Sequence, residues 1–164
     1  MQIFYIALTA VTVFLIVLFP EETFSDNNGQ RIFDGYMHEH DHALGGILSN
    51  TRGAGLSYRY WPGKHGLQVS FLPINTDDLS FYNTGIAHLF MIRREKLASL
   101  YLSSSTSFVH YNGQNQLRLG LAPGVEFHFV DFVGVHTSFG YGLYDVMGNR
   151  DVNFSLEIGC FLYF

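Results

Sequence analysis

From residue 153 to residue 164 the chain alternates without a break. Phe154, Leu156, Ile158, Cys160, Leu162 and Phe164 form one apolar set, and Asn153, Ser155, Glu157, Gly159, Phe161 and Tyr163 form the other. Successive side chains of a β-strand point to opposite faces of its sheet, so this segment is a strand with one wholly apolar face. The same period of two recurs upstream. Leu117, Leu119, Leu121, Pro123, Val125, Phe127 and Phe129 stand opposite Arg118, Gly120, Ala122, Gly124, Glu126 and His128. Val133, Val135, Thr137, Phe139, Tyr141 and Leu143 oppose Gly134, His136, Ser138, Gly140, Gly142 and Tyr144. Turn signals divide the sequence into eight strand-like segments, at 43–49, 54–61, 66–72, 81–93, 97–111, 116–130, 132–145 and 151–164, of which the first and fourth alternate poorly. Several exceed a usual globular strand but suit a tilted span of about 9–11 residues through a bilayer. Pro123, inside the sixth segment, predicts a bulge or a lost ladder bond.

Alternation does not say which medium meets the apolar face; composition does. Only 14% of the residues are charged, against about 25% in an average soluble domain. A water-facing strand surface would be rich in Lys and Glu, whereas the polar faces here carry Gly, Ser and Ala with isolated Arg, Glu and His. Small residues of that kind fit the inside of a narrow barrel, where side chains fill the lumen. The apolar face then meets lipid. A sheet in hydrocarbon can leave no edge with unpaired N–H and C=O groups, so it closes on itself with an even number of strands. The alternative is a soluble, lipocalin-like ligand-binding barrel, which would bury the same face.

The last segment, alternating and ending on Phe164, resembles the C-terminal strand of Gram-negative outer-membrane β-barrel proteins, and serves there as a membrane-insertion signal. The whole chain resembles the small eight-stranded members of the broad porin-like superfamily. That resemblance implies an all-β fold, an antiparallel up-and-down transmembrane barrel over residues 43–164 in the cell outer membrane, inserted by the barrel-assembly machinery. Residues 3–19 are an uncharged apolar run followed by Pro20, Glu21 and Glu22, which assigns residues 1–25 to a signal peptide, with an uncleaved anchor as the alternative. Residues 26–42 are polar, lack either periodicity and read as a periplasmic linker. With the chain end at the periplasm, the connections at 62–64, 93–96 and 131 are periplasmic, and those at 50–53, 73–80, 112–115 and 146–150 are short extracellular turns. Tyr60, Trp61, Phe129, Phe132 and Tyr163 at one end, and Phe81, Tyr82, Tyr111 and Tyr144 at the other, would form interfacial aromatic girdles.

A net charge of −5 with no basic cluster excludes a nucleic-acid surface. The single cysteine, Cys160, excludes an internal disulfide. A turn at residue 131 sets Glu126 directly across from His136 on the inner face, where Arg59, His128 and Glu157 also point. These five residues form an expected lumen cluster in which buried charges pair. His136 and Ser138, two apart on one face, resemble the histidine and serine of the outer-membrane lipid A deacylases, although Phe139 and Gly140 stand where that motif continues with asparagine. A lipid A-modifying hydrolase is thus the enzymatic alternative. His38, His40 and His42 are candidate metal ligands in the linker, spread too widely along an extended chain for easy tetrahedral chelation. No cofactor motif is present. The expected function is non-enzymatic: a structural barrel without an open pore, or an accessory subunit of a larger outer-membrane complex, whose partners are outer-membrane lipid and a larger outer-membrane protein.

Overall fold

The computed structural model of the chain describes residues 40–76, 80–95, 97–130, 132–148 and 150–164. The signal segment, residues 26–39 of the linker and His38 lie outside the described residues. Eight strands follow in order: β1 (His42–Ser49), β2 (Gly53–Tyr60), β3 (His65–Asn75), β4 (Ser80–Arg94), β5 (Ala98–Tyr111), β6 (Gln114–Val130), β7 (Val133–Tyr144) and β8 (Asp151–Tyr163). Each pairs antiparallel with the next, and β8 returns to pair with β1 from Ala43↔Tyr163 to Ser49↔Glu157, which closes the barrel. Beyond that ladder the side chain of Asn50 donates to Phe154 O and accepts from Leu156 N, extending the seam.

The apolar face points out. Phe154, Leu156, Ile158, Leu162 and Phe164 of the last segment are exposed, as are Leu121, Phe127, Phe129, Phe139 and Tyr141. Their polar neighbours Ser155, Glu157, Glu126, His136 and Ser138 are buried inside. A soluble barrel would have the opposite arrangement, so the lipocalin-like alternative is overturned.

Local chemistry explains the joints. Asn112 and Gly113 both take positive φ, 44° and 84°, which is the two-residue turn that matches strand twist between β5 and β6. Pairing of β6 with β7 is interrupted between Leu121↔Tyr141 and Gly124↔Ser138, at Ala122 and Pro123, where proline has no N–H to give. The β4–β5 register shifts between Met91 and Arg93.

Two aromatic assignments are corrected. Trp61 and Tyr163 sit at strand ends, where a girdle is expected, yet both are buried in the lumen. Tyr163 alternates with Phe161 and Glu157 on the inner face of β8, and Trp61 follows Arg59 on the inner parity of β2. Tyr60, Phe129, Phe132, Tyr82 and Tyr111 are exposed, as girdle residues should be.

A charge on the outer wall should be costly. Ile158, midway along β8 and exposed, replaced by Arg, is expected to lower unfolding stability by about 2–4 kcal/mol, read by urea titration in lipid vesicles; an unchanged midpoint would contradict lipid contact at this site.

Candidate functional site

The lumen holds two polar layers. The first is centred on Arg59 of β2, fully buried. Its Nη1 pairs with Glu126 Oε2 and lies 3.1 Å from Tyr163 Oη, while Nε and Nη2 donate to Gln68 Oε1 at 3.0 and 2.8 Å. Tyr163 donates in turn to the other oxygen of Glu126. Arg59 Nη2 also meets His136 Nδ1 at 2.6 Å. A guanidinium can only donate, so Nδ1 accepts and the ring proton sits on Nε2. That Nε2 lies 2.9 Å from Glu157 Oε1, close enough for electrostatic attraction but off hydrogen-bond direction. His128 Nδ1 stands 3.8 Å from Glu126 Oε1, and its Nε2 is 3.1 Å from Ser99 Oγ.

Aromatic rings close this layer. The Arg59 guanidinium lies 4.0 Å from the centroid of Phe161 and 5.3 Å from that of Trp61, and Trp61 meets Tyr101 edge to face at 5.5 Å. Gly124 makes the space for Tyr101: a Cβ there would fall 2.4 Å from the ring.

The second layer comes from the β1–β2 connection. Thr51 and Arg52 fold inward and are 3% and 2% exposed. Arg52 pairs with Glu157 of β8, and Thr51 Oγ1 bonds Ser155 Oγ at 2.7 Å. The turn's carbonyls are captured by surrounding strands: Ser107 of β5 donates to Thr51 O, Asn83 of β4 donates to Arg52 O at 3.1 Å, and Arg118 of β6 donates to Asn50 O at 2.9 Å. Gly53, at φ 81°, turns the chain back into β2 against the Asn83 side chain.

The structure therefore brings Arg59, Glu126, His128, His136 and Glu157 together, with Glu126↔His136 in register on β6 and β7. Sequence reasoning missed Arg52, Gln68, Asn83 and Tyr101. Gln68, Asn83 and Tyr101 lie on the inner faces of β3, β4 and β5, none of which held a recognised lumen residue, and Gln68 stands in register with Arg59; Arg52, in a turn, has no parity to read. Ser138 lies inside, 2% exposed, and no hydrogen bond joins it to His136 among the described residues. His40 and His42 are not gathered into a ligand group; His42 packs outside, its Nδ1 2.6 Å from Tyr58 Oη and its ring stacked on Tyr60 at 4.8 Å. Cys160 is exposed on the outer face.

A closed eight-stranded antiparallel barrel with an apolar exterior and a polar, ion-paired interior defines an outer-membrane type of β-barrel. Among solved structures, the N-terminal β-barrel domain of Pseudomonas aeruginosa OprF superposes at a TM-score of 0.55, with 11% identity over 75% of this chain and 95% of that domain. Neisserial surface protein A matches at 0.41 with 18% identity over 75% of this chain and 93% of that one. Ail of Yersinia pestis matches at 0.37 with 15% identity, over 75% and 93%. Identities this low speak to fold alone. No family model and no curated protein matches the sequence.

Removing one member of the central pair leaves the other buried without its counter-charge. Arg59→Leu is expected to cost about 3–5 kcal/mol of stability, and the double variant Arg59→Leu/Glu126→Leu less than the two single changes summed. Urea unfolding of all four proteins in lipid vesicles measures this; additive losses would contradict the pairing.

Proposed function

We propose that the chain is a non-enzymatic structural barrel of the cell outer membrane, closed to diffusion, acting as an accessory wall that packs laterally against other outer-membrane proteins. The observation that carries this reading is the filled lumen. An ion crossing it would have to displace the buried Arg59–Glu126 pair, its aromatic lid and the inward-folded β1–β2 turn tied to Glu157, Ser155, Ser107, Asn83 and Arg118. An eight-stranded barrel is just wide enough for side chains to fill, and here they do so with paired charge. The connections at that end also offer little surface for capturing a soluble ligand, since the β5–β6 turn is two residues long and the β1–β2 turn points inward.

Hydrolysis of lipid A is disfavoured by the same geometry. His136 and Ser138 face the lumen, away from any acyl chain, and the His136 lone pair at Nδ1 already accepts from Arg59 rather than from a serine hydroxyl. The outer wall of Leu, Phe and Tyr supports the lateral contact with lipid and protein. Insertion would proceed through the barrel-assembly machinery, with β8 as the strand presented to it.

Refolded protein, verified by heat-modifiable migration, is expected to give no stepwise conductance in planar bilayers, and wild type and Ser138→Ala are expected to be equally inactive in release of lipid A acyl chains. Regular single-channel steps would overturn the closed barrel; acyl release lost in Ser138→Ala would overturn the non-enzymatic reading.

A further inference from the structure

The outer wall is not apolar everywhere. Between the strand ends, the outward positions of β6, β7, β8 and β1 are Leu, Val, Ile, Phe and Tyr apart from Gly46, Pro123, Thr137 and Cys160, whereas three neighbouring strands gather polar groups there. β4 turns Thr84 and His88 outward, β5 turns Ser104 and Thr106 outward, and β3 begins with an outward His65. The register sets His88 directly across from Ser104, with Ile86 across from Thr106 beside them. His65 and His88 stack with ring centroids 5.3 Å apart, and Nδ1 of the first lies 3.0 Å from Nε2 of the second. The sequence mark of this patch is the run Ser103, Ser104, Ser105, Thr106, Ser107, five consecutive hydroxyl residues in the middle of β5. Ser103 and Ser107 are buried in the lumen and bond there to Ala122 O and Thr51 O; Ser104 and Thr106 are half-buried on the other face.

Midway along their strands, Ser104 and His88 stand at the depth of the hydrocarbon. Lipid tails offer nothing to a hydroxyl or an imidazole, so a cluster of them on the outer wall is unfavourable unless protein covers it. Small hydroxyl side chains also permit the close approach of a second backbone, and bonds between such groups hold membrane segments together. The five outward residues include no carboxylate, lysine or arginine, so no oppositely charged partner is called for. Hydroxyl and imidazole groups each donate and accept, which makes the patch complementary to a copy of itself. A two-fold axis along the membrane normal places equal depths face to face, so the level pair His88 and Ser104 would meet the same pair on the copy.

We propose that the outer faces of β3, β4 and β5 are the interface of a homodimer, joined by His65, His88, Ser104 and Thr106 within the membrane. This rests on the transmembrane reading above and identifies the lateral partner on this flank as a second copy of the chain.

Cysteine cross-linking in the outer membrane of a Gram-negative host tests it. Natural Cys160 faces outward on β8, on the side of the ring opposite β4 and β5, and serves as the control. Copper phenanthroline oxidation of the Ser104→Cys/Cys160→Ser protein is expected to give a disulfide-linked band at twice the monomer mass, and wild type none. In detergent, wild type is expected to sediment as a dimer. His88→Leu/Ser104→Leu/Thr106→Val is expected to sediment as a monomer while keeping heat-modifiable migration, which shows that it folds. Absent cross-linking at residue 104, equal cross-linking through Cys160, a product containing a different protein, or a folded triple variant that stays dimeric would overturn the dimer. Recovery of wild type in the carbonate-soluble fraction would instead overturn the transmembrane reading, and the dimer with it.

Discussion

A β-sheet in hydrocarbon cannot leave a backbone amide unpaired, because lipid offers no hydrogen bond in exchange for water's. Every other feature of this barrel follows from meeting that demand at the β1–β8 seam. The ladder from Ala43↔Tyr163 to Ser49↔Glu157 removes both edges at once. Asn50 carries the pairing further with its side-chain amide where the backbone of β1 departs into the turn. Opening this seam would expose two rows of polar groups to lipid, so closure is shared by all eight strands rather than added to a sheet that is stable without it.

Closure creates the second problem, which is the inside. The inner faces converge in a space narrow enough that their side chains touch across it, and charges placed there lose most of their water. Arg59 answers by engaging Glu126, Gln68, Tyr163 and His136 together, one guanidinium satisfying residues from four other strands. Arg52 and Glu157 do the same nearer the other end, and there the backbone of the β1–β2 turn takes the place that side chains fill below. The glycines of the inner face are the counterpart of these large groups. Gly124 admits Tyr101, and Gly66 lies against Trp61 where a Cβ would come within 2.7 Å of its ring.

Much of this was legible in the sequence because period-two alternation fixes both strand and face. The pairing of Glu126 with His136 followed from an expected turn about residue 131, and it holds although the register shifts between His128 and Val130; the polar parity of β7 and β8 located His136 and Glu157. What escaped had no period to betray it. Arg52 sits in a three-residue connection, where a charged residue ordinarily meets water, and its burial follows from its pair with Glu157 and from the capture of the turn's carbonyls by Ser107, Asn83 and Arg118. Trp61 and Tyr163 were open to two rules, aromatic at a strand end and parity along the strand, and parity prevailed because the lumen cluster needs their bulk. β5 concealed its faces for a further reason: Ser103 to Ser107 gives hydroxyls to both sides, so hydrophobicity does not alternate even though the strand does.

The central claim is that lipid, not a dry protein core, touches the leucine and phenylalanine face. Spin labels placed singly at residues 154–160 of β8 in lipid nanodiscs, with Cys160 replaced wherever it is not the labelled site, test it directly through collision with oxygen and with a water-soluble nickel chelate. The account predicts high oxygen accessibility at 154, 156, 158 and 160, alternating with low accessibility to both reagents at 155, 157 and 159. Chelate access at the even positions, or no alternation, would contradict it.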